Sequence, residues 1–328
     1  NGRPVNPRNR MSINLLKRAT ATATALLLDR ITGPLVGDGL EKLPDRLHPV
    51  AWFGRGMSTL ETRIWRDDRA AGLLYTATGT AIGLVAGRLC GSTTIVVHLA
   101  TAGHQLRRIA LEIANHLESG DLDMARATLP SLAGRDPEHL DRTQVAAAVV
   151  ESLAENSVDA VIAPAFWGLV AGAPGAAAHR AINTMDAMVG HRSSRYERFG
   201  WSAARLDDAV NWLPARLFAL TVAASAPSRA RDAVSTVLRD ASDHPSPNAG
   251  VAESALAGAL NLRLGGSLSY SGKIEDRPIL GDGHYPDAKD IRRAVDLVRR
   301  CEAILVVTLG IAALAALVTS RHSDRAPR

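Results

Sequence analysis

Long uncharged runs alternate along this chain with stretches dense in arginine, aspartate and glutamate. The cleanest run is Ala303 to Ser320, AILVVTLGIAALAALVTS, between Glu302 and Arg321. Ala70 to Gly87 is a second, closed by Arg88, and Leu89 to Gln105 continues it with His98 and His104 as the only side chains that can become cationic. Ala160 to Ala178 is uncharged but interrupted by Pro164, Gly172, Pro174 and Gly175, while Ala19 to Leu28 and Leu217 to Ser228 are shorter. Crossing a bilayer takes about 20 apolar residues, with a range near 17–25, so these runs sit at the lower edge. The terminal run tips the balance. A helix apolar on every face and followed by a basic tail must be enclosed on all sides or lie in lipid. The pattern predicts an all-α, multi-pass integral membrane protein whose helical extramembrane loops form a polar site. Its apolar segments are expected at about 11–28, 70–105, 160–178, 209–228 and 303–320.

Between the runs, helix signals dominate. Leu106, Ile109, Ala110, Ile113, Ala114 and Leu117 repeat with the 3.6-residue period of one buried helix face. Asp141 followed by Gln144 predicts a capped start for the helix that contains Val145 to Leu153. Asp287 to Arg300 reads as an amphipathic helix leading into the terminal run. Turns are expected at Gly33-Pro34, Gly134 to Pro137, His244 to Gly250 and Gly281 to Pro286. Strand alternation is scarce, and no internal repeat is visible. Residues 1–10 read as a polar extension and residues 11–328 as one membrane-embedded catalytic domain. Arg3, Arg8, Arg10, Lys17 and Arg18 predict a cytoplasmic start in the cell membrane. The same residues precede an apolar stretch as in a signal peptide, but Asp29-Arg30 follows without a small-residue cleavage site.

Composition narrows the chemistry. With 46% hydrophobic and 22% charged residues among 328, the chain is neither disordered nor collagenous. Cys90 and Cys301 are its only cysteines, so neither a zinc spacing nor a disulfide framework can be built. The net charge of +5 comes almost wholly from arginine, since Lys17, Lys42, Lys273 and Lys289 are the only lysines. Arginine is the residue for a bidentate grip on carboxylate or phosphate. Aromatics are 4% and acids accompany each basic stretch, which argues against a nucleic-acid partner. No P-loop, GxGxxG, HExxH or GxSxG occurs.

Four polar clusters stand next to the apolar runs. In ESLAENSVD, Glu151, Glu155 and Asp159 are spaced i, i+4, i+8, which on a helix aligns three carboxylates with Ser152 and Asn156 beside them. Such a stripe is either a solvated face or a site for Mg²⁺ or an ammonium group. Asn183 to Trp201 gathers Asn183, Asp186, His191, Arg192, Arg195, Tyr196 and Arg198, either a loop for an anionic ligand or a basic membrane-proximal loop. In RLDDAVNWLPAR, Asp207 and Asp208 are i, i+4 and i, i+3 to Asn211 and Arg205 reaches Asp208, a polar face that is either a cavity wall or a structural ion-pair patch. In SPNAGVAE, Ser246 and Pro247 can start a helix, either a plain helix start or one whose backbone N–H groups hold an anion. Gly281-Asp282-Gly283 is a tight turn that a phosphate or metal could use.

Taken as an ordered set, ALLLDR at 25–30, HPVAWFGR at 48–55, GRD at 134–136, ESLAENSVDAVIAPAFW at 151–167, INTMDAMVGHRSSRYERFGWSAARLDDAVNWLPARL at 182–217, SPNAG at 246–250 and GDG at 281–283 resemble the CobD/CbiB family of cobalamin biosynthesis, adenosylcobinamide-phosphate synthase. The resemblance runs from about Ala25 to the terminal apolar run. The polar extension before Met11 and the stretch Thr32 to Asp45 depart from it and touch none of the clusters.

The resemblance implies a multi-pass membrane enzyme. Such an enzyme joins the free propionate carboxylate of adenosylcobyric acid to (R)-1-amino-2-propanol or its O-phosphate as an amide, with ATP and Mg²⁺. On that reading Glu151, Glu155 and Asp159 hold Mg²⁺ or the substrate ammonium. Arg192, Arg195 and Arg205 hold phosphate or carboxylate, with Asp186, Asp207 and Asp208 as base or metal candidates. Asn183, Asn211 and Asn248 bond the corrin's amide rim, and Asn156, His191 and Tyr196 complete the substrate contacts. The implied partners are the two substrates, the lipid bilayer, and other pathway enzymes or a second copy of the chain. A corrinoid transporter or a non-catalytic membrane scaffold of the pathway is the rival reading.

Overall fold

The computed structural model describes residues 7–36, 48–134, 137–191, 193–270 and 273–325. Among these the protein is nearly all helical, as the apolar pattern predicts. The helices are α1 (Pro7–Val36), α2 (Pro49–Ile64), α3 (Arg69–Cys90), α4 (Thr93–Ala100), α5 (Gly103–Ser119), α6 (Leu122–Thr128) and α7 (Arg142–Ser157). After them come α8 (Ala163–Met185), α9 (Trp201–Ser225), α10 (Ala230–Asp240), α11 (Ala249–Leu260) and α12 (Ala288–Arg325). Among the described residues three helical stretches are long and apolar enough to cross a bilayer: α3, the stretch Arg142–Gly190 that contains α8, and Ala288–Val318 of α12. Their architecture is that of a multi-pass membrane protein.

Local chemistry sets most helix starts. Asp68 accepts from the Ala71 N–H at 2.7 Å ahead of α3, and His48 caps α2 with Pro49 in its first turn. The cap expected at Asp141 is a full capping box: Asp141 accepts from the Gln144 N–H while the Gln144 side chain accepts from the Asp141 N–H. Two findings differ from the sequence reading. The helix α1 runs through Gly33 and Pro34, where a turn is expected. An antiparallel hairpin also forms, β1 (Leu264–Tyr270) with β2 (Lys273–Leu280), bulged between Leu264 and Gly266.

By contacts the chain divides into two compact units, with the division falling inside α9 and α12. The first comprises Asn1–Thr101, Ala163–Asp207 and Leu305–Arg328. Its centre is the pairing of α3 with α8, made close by glycines one turn apart. A Cβ on Gly83 would stand 2.9 Å from the Ala177 carbonyl oxygen, and one on Gly87 2.4 Å from that of Ala173. Small residues at such spacing let membrane helices approach backbone to backbone, where dispersion rather than water exclusion holds them. The helix α8 itself breaks at Gly172 (φ 67°, ψ −154°), two residues before Pro174. Proline lacks the N–H that a regular helix would offer to the Val170 carbonyl, and Arg18 of α1 donates to that oxygen instead.

The second unit comprises Ala102–Ile162 and Asp208–Ile304. Every residue of α11 is buried, as is most of α7 from Val145 to Ala154. Gly258 lets α11 lie against α10: its Cβ would stand 2.6 Å from the Asp232 carbonyl oxygen. A buried ion pair of this unit, Arg107 with Glu302, packs against Gly103.

Candidate functional site

The helix α7 passes at Val158 into a π-helical turn, Val158–Ile162, and α8 ends in another, Asp186–Gly190. A π turn carries one residue more than an α turn and releases backbone groups from the regular ladder, and such turns recur at functional sites. Here each turn contains one of the predicted carboxylates, Asp159 and Asp186. The Ala102 N–H takes up the Ala160 carbonyl of the first turn at 3.1 Å. In the second, Asp186 lies so close to Gly190 that a Cβ there would be 1.8 Å from its Oδ1.

In the first unit the predicted loop forms a cluster around Glu61 of α2. The Glu61 Oε1 accepts from Arg195 through Nη2 at 2.9 Å and Nε at 3.3 Å, and from the Tyr196 hydroxyl at 2.9 Å. The Arg195 guanidinium lies over the Trp65 ring at 4.6 Å, and the Trp65 indole N–H donates to the Arg195 carbonyl. His191 meets Tyr196 edge-on at 5.0 Å. Hydrogen bonding to Glu61 holds the guanidinium's pKa above its ordinary value. The result is a cation fixed in orientation and half exposed. Asn183 accepts from Arg180 at 3.3 Å, on α8. Arg205 is exposed and Asp207 half-buried on α9. Arg192 lies outside the described residues, as do Arg135 and Asp136 of the GRD motif.

In the second unit a polar line runs along α9. Asp159 accepts from the Asn211 side chain at 3.1 Å, and Asn211 is fully buried. Asn248, just before α11, donates to the Asp208 backbone carbonyl at 2.8 Å and accepts from Arg216 at 2.9 Å. Arg216 also donates to the Trp212 carbonyl at 3.0 Å and lies over that residue's ring at 4.4 Å. Ser246 caps the backbone N–H groups of Asn248 and Ala249.

The chain's comparison with known proteins falls on these residues. The model of the family described as CobD/Cbib protein matches residues 22–298. The chain belongs to this family. The cobalamin biosynthesis protein CobD of Mycobacterium tuberculosis (strain H37Rv) is 45% identical over 310 residues, 89% of this chain and 97% of that protein. That of Rhodobacter capsulatus is 41% identical over 291 residues, covering 81% and 90%. That of Pelobacter propionicus is 37% identical, covering 90% and 95%. No solved structure matches the chain. Every residue of both clusters lies inside the segment matched by the CobD/Cbib model.

Not all of the expected residues are brought together. Of the carboxylate stripe, Glu151 is buried and accepts from the Gly265 N–H at 2.8 Å, securing the base of the hairpin. Glu155 is exposed, and only Asp159 joins the α9 line. Asn156 donates to the Leu132 and Ser152 carbonyls. Among the described residues no group of three or more His, Cys, Asp or Glu is placed to hold a metal ion. The stripe therefore does not fit a resident Mg²⁺ cage. The GDG turn is likewise anchored: the Gly281 N–H donates to Asp240 at 2.8 Å, and Arg239 bridges Asp240 and Asp282. That guanidinium holds the Asp240 carboxyl below its ordinary range. Sequence reasoning passed over Glu61, Trp65 and Arg216. Arg216 stands inside the quoted NWLPARL motif, so its signal was present. Glu61 lies outside every motif.

Proposed function

We propose that this CobD/Cbib protein forms the amide between the free propionate carboxylate of adenosylcobyric acid and (R)-1-amino-2-propanol or its O-phosphate, as an ATP-dependent ligase of the cell membrane. The observation that carries the reading is the family match from 22 to 298, which takes in every candidate residue. A carboxylate resists attack by an amine because its charge repels the nucleophile and oxide does not leave. Transfer of the ATP γ-phosphoryl group to the propionate oxygen gives an acyl phosphate and ADP. The neutral amine nitrogen then attacks the acyl carbon, the C–N bond forms, and inorganic phosphate leaves with the former carboxylate oxygen. The ammonium of the amine substrate must first lose a proton to a base.

The residues have matching chemistry. Asp159 and Asp208 are base candidates in the second unit, and Asn211 and Asn248 supply amide contacts there. Arg195, braced by Glu61 and Trp65, offers a preset fork to an oxyanion in the first unit. Mg²⁺ would arrive with the nucleotide, held by its phosphates and by water. The test is a coupled assay on detergent-purified protein with adenosylcobyric acid, aminopropanol phosphate and Mg-ATP, following the corrinoid by mass spectrometry. A mass gain of one amide linkage, with ADP released only when both substrates are present, is expected. Tight corrinoid binding without product under any phosphoryl donor would replace the ligase by the transporter or scaffold reading.

A further inference from the structure

We infer that Arg216 is an oxyanion-binding residue of the second unit, held in place by Asn248 and Trp212. The inference rests on the proposed function and deepens it by assigning the group of the second unit that grips an oxyanion. Among the described residues, Arg107, Arg195, Arg239 and Arg292 each meet a carboxylate. Arg216 does not. Its contacts are neutral: the Trp212 carbonyl, the Asn248 side-chain oxygen and the face of the Trp212 ring. Both hydrogen bonds fall on one nitrogen, Nη1. The Nε–H and Nη2–H edge, the pair that grips a carboxylate or phosphate in bidentate fashion, makes neither of them.

A half-buried cation without a counter-charge is costly, and an arriving oxyanion relieves that cost. The support is rigid as well. Asn248 is 7% exposed and has its own amide N–H on the Asp208 carbonyl, which fixes its oxygen toward Arg216. The Trp212 ring, 4.4 Å from the guanidinium carbon, backs the fork. An amino-alcohol phosphate would offer its phosphate to Arg216. The propionate carboxylate is the other source of the same oxyanion chemistry.

The test measures binding rather than turnover, so it stands apart from the ligase assay. Full-length protein in detergent is titrated by calorimetry with inorganic phosphate, (R)-1-amino-2-propanol O-phosphate, the unphosphorylated amine and propionate, as wild type and as Arg216→Met and Arg216→Lys. The expected result is a loss of at least tenfold in affinity for one oxyanion in Arg216→Met. Arg216→Lys, which keeps the charge but not the fork, should lose less. Dependence confined to the phosphate ligands assigns the phosphate, and dependence confined to propionate assigns the carboxylate.

Phenylglyoxal labelling of the wild-type protein, read by peptide mass spectrometry, gives a second measure that needs no variant to fold. Modification of Arg216 should be suppressed by the ligand that binds. Unchanged affinity for every oxyanion in folded Arg216→Met, or labelling of Arg216 that no ligand suppresses, overturns the assignment. Amide formation that proceeds with an Arg216-independent oxyanion site would sink this inference and leave the ligase standing. Arg216-dependent binding without any amide product would do the reverse.

Discussion

Among the described residues, Arg195 on Trp65 and Arg216 on Trp212 each lie over a tryptophan ring with a polar side chain holding one edge. The difference lies in the polar partner, a carboxylate for Arg195 and an amide for Arg216. Glu61 is therefore a positioning residue. Removing it in Glu61→Ala leaves Arg195 and Tyr196 without their shared acceptor. The guanidinium is half exposed, so solvent takes over part of what Glu61 supplies. Turnover in the amide-forming assay is expected to fall about tenfold through loss of orientation. Glu61→Gln, which keeps an acceptor oxygen, should recover part of it, and melting curves will separate this from loss of fold. Asp240 gives a prediction in pH. Its carboxyl titrates below the ordinary 3.8 because Arg239 stabilises the anion. A depressed folded value means the contribution is complete above 3.8 and is lost as the pH falls through the folded value. Protection of the Gly281 amide from hydrogen exchange should persist above pH 3.8 and fade below it.

The elements carry a different kind of information. Gly79, Gly83 and Gly87 of α3 recur every four residues, and their bare backbone meets α8 or the methionines beside it. Gly83→Val should cost about 1–3 kcal/mol through overpacking, read as a lowered melting temperature in detergent. Gly56 of α2 is the contrast, since a Cβ there meets nothing within 4 Å. Gly56→Ala should leave stability unchanged or raise it by up to about 1 kcal/mol through helix propensity. The π turns explain where spacing arguments fail. The i, i+4, i+8 rule for Glu151, Glu155 and Asp159 assumes 3.6 residues per turn throughout. The turn from Val158 to Ile162 changes that phase at Asp159, while Glu151 and Glu155 both precede it in α7, the first buried and the second exposed.

At the scale of the molecule, the apolar runs made the helices legible. Uncharged length is a one-dimensional property, and α3, α8 and the end of α12 follow from it. The Asp141 cap was legible for the same reason, because its partners lie three residues apart. The hairpin was not. Its strands lack alternation, and its base is set by Glu151, more than a hundred positions earlier. Glu61 was hidden in the same way, 134 positions from the arginine it braces. Val307, Ile311, Leu314 and Val318 stand exposed along α12, a surface suited to hydrocarbon rather than water. The full chain is expected to stay in the membrane pellet through alkaline carbonate washing and to be released only by detergent. Recovery in the wash supernatant would contradict a spanning α12.

The break in α8 bears on the order in which the protein is made. Chains emerge from the ribosome N-terminus first, and the donor to the Val170 carbonyl, Arg18, lies 152 residues upstream of it. When the fractured span arrives, the arginine that completes it has already been synthesised. Lipid offers no hydrogen bond to an orphaned carbonyl. The first helix thus serves the later one as an intramolecular assembly factor, and chains that start beyond Arg18 should insert α8 poorly and be degraded.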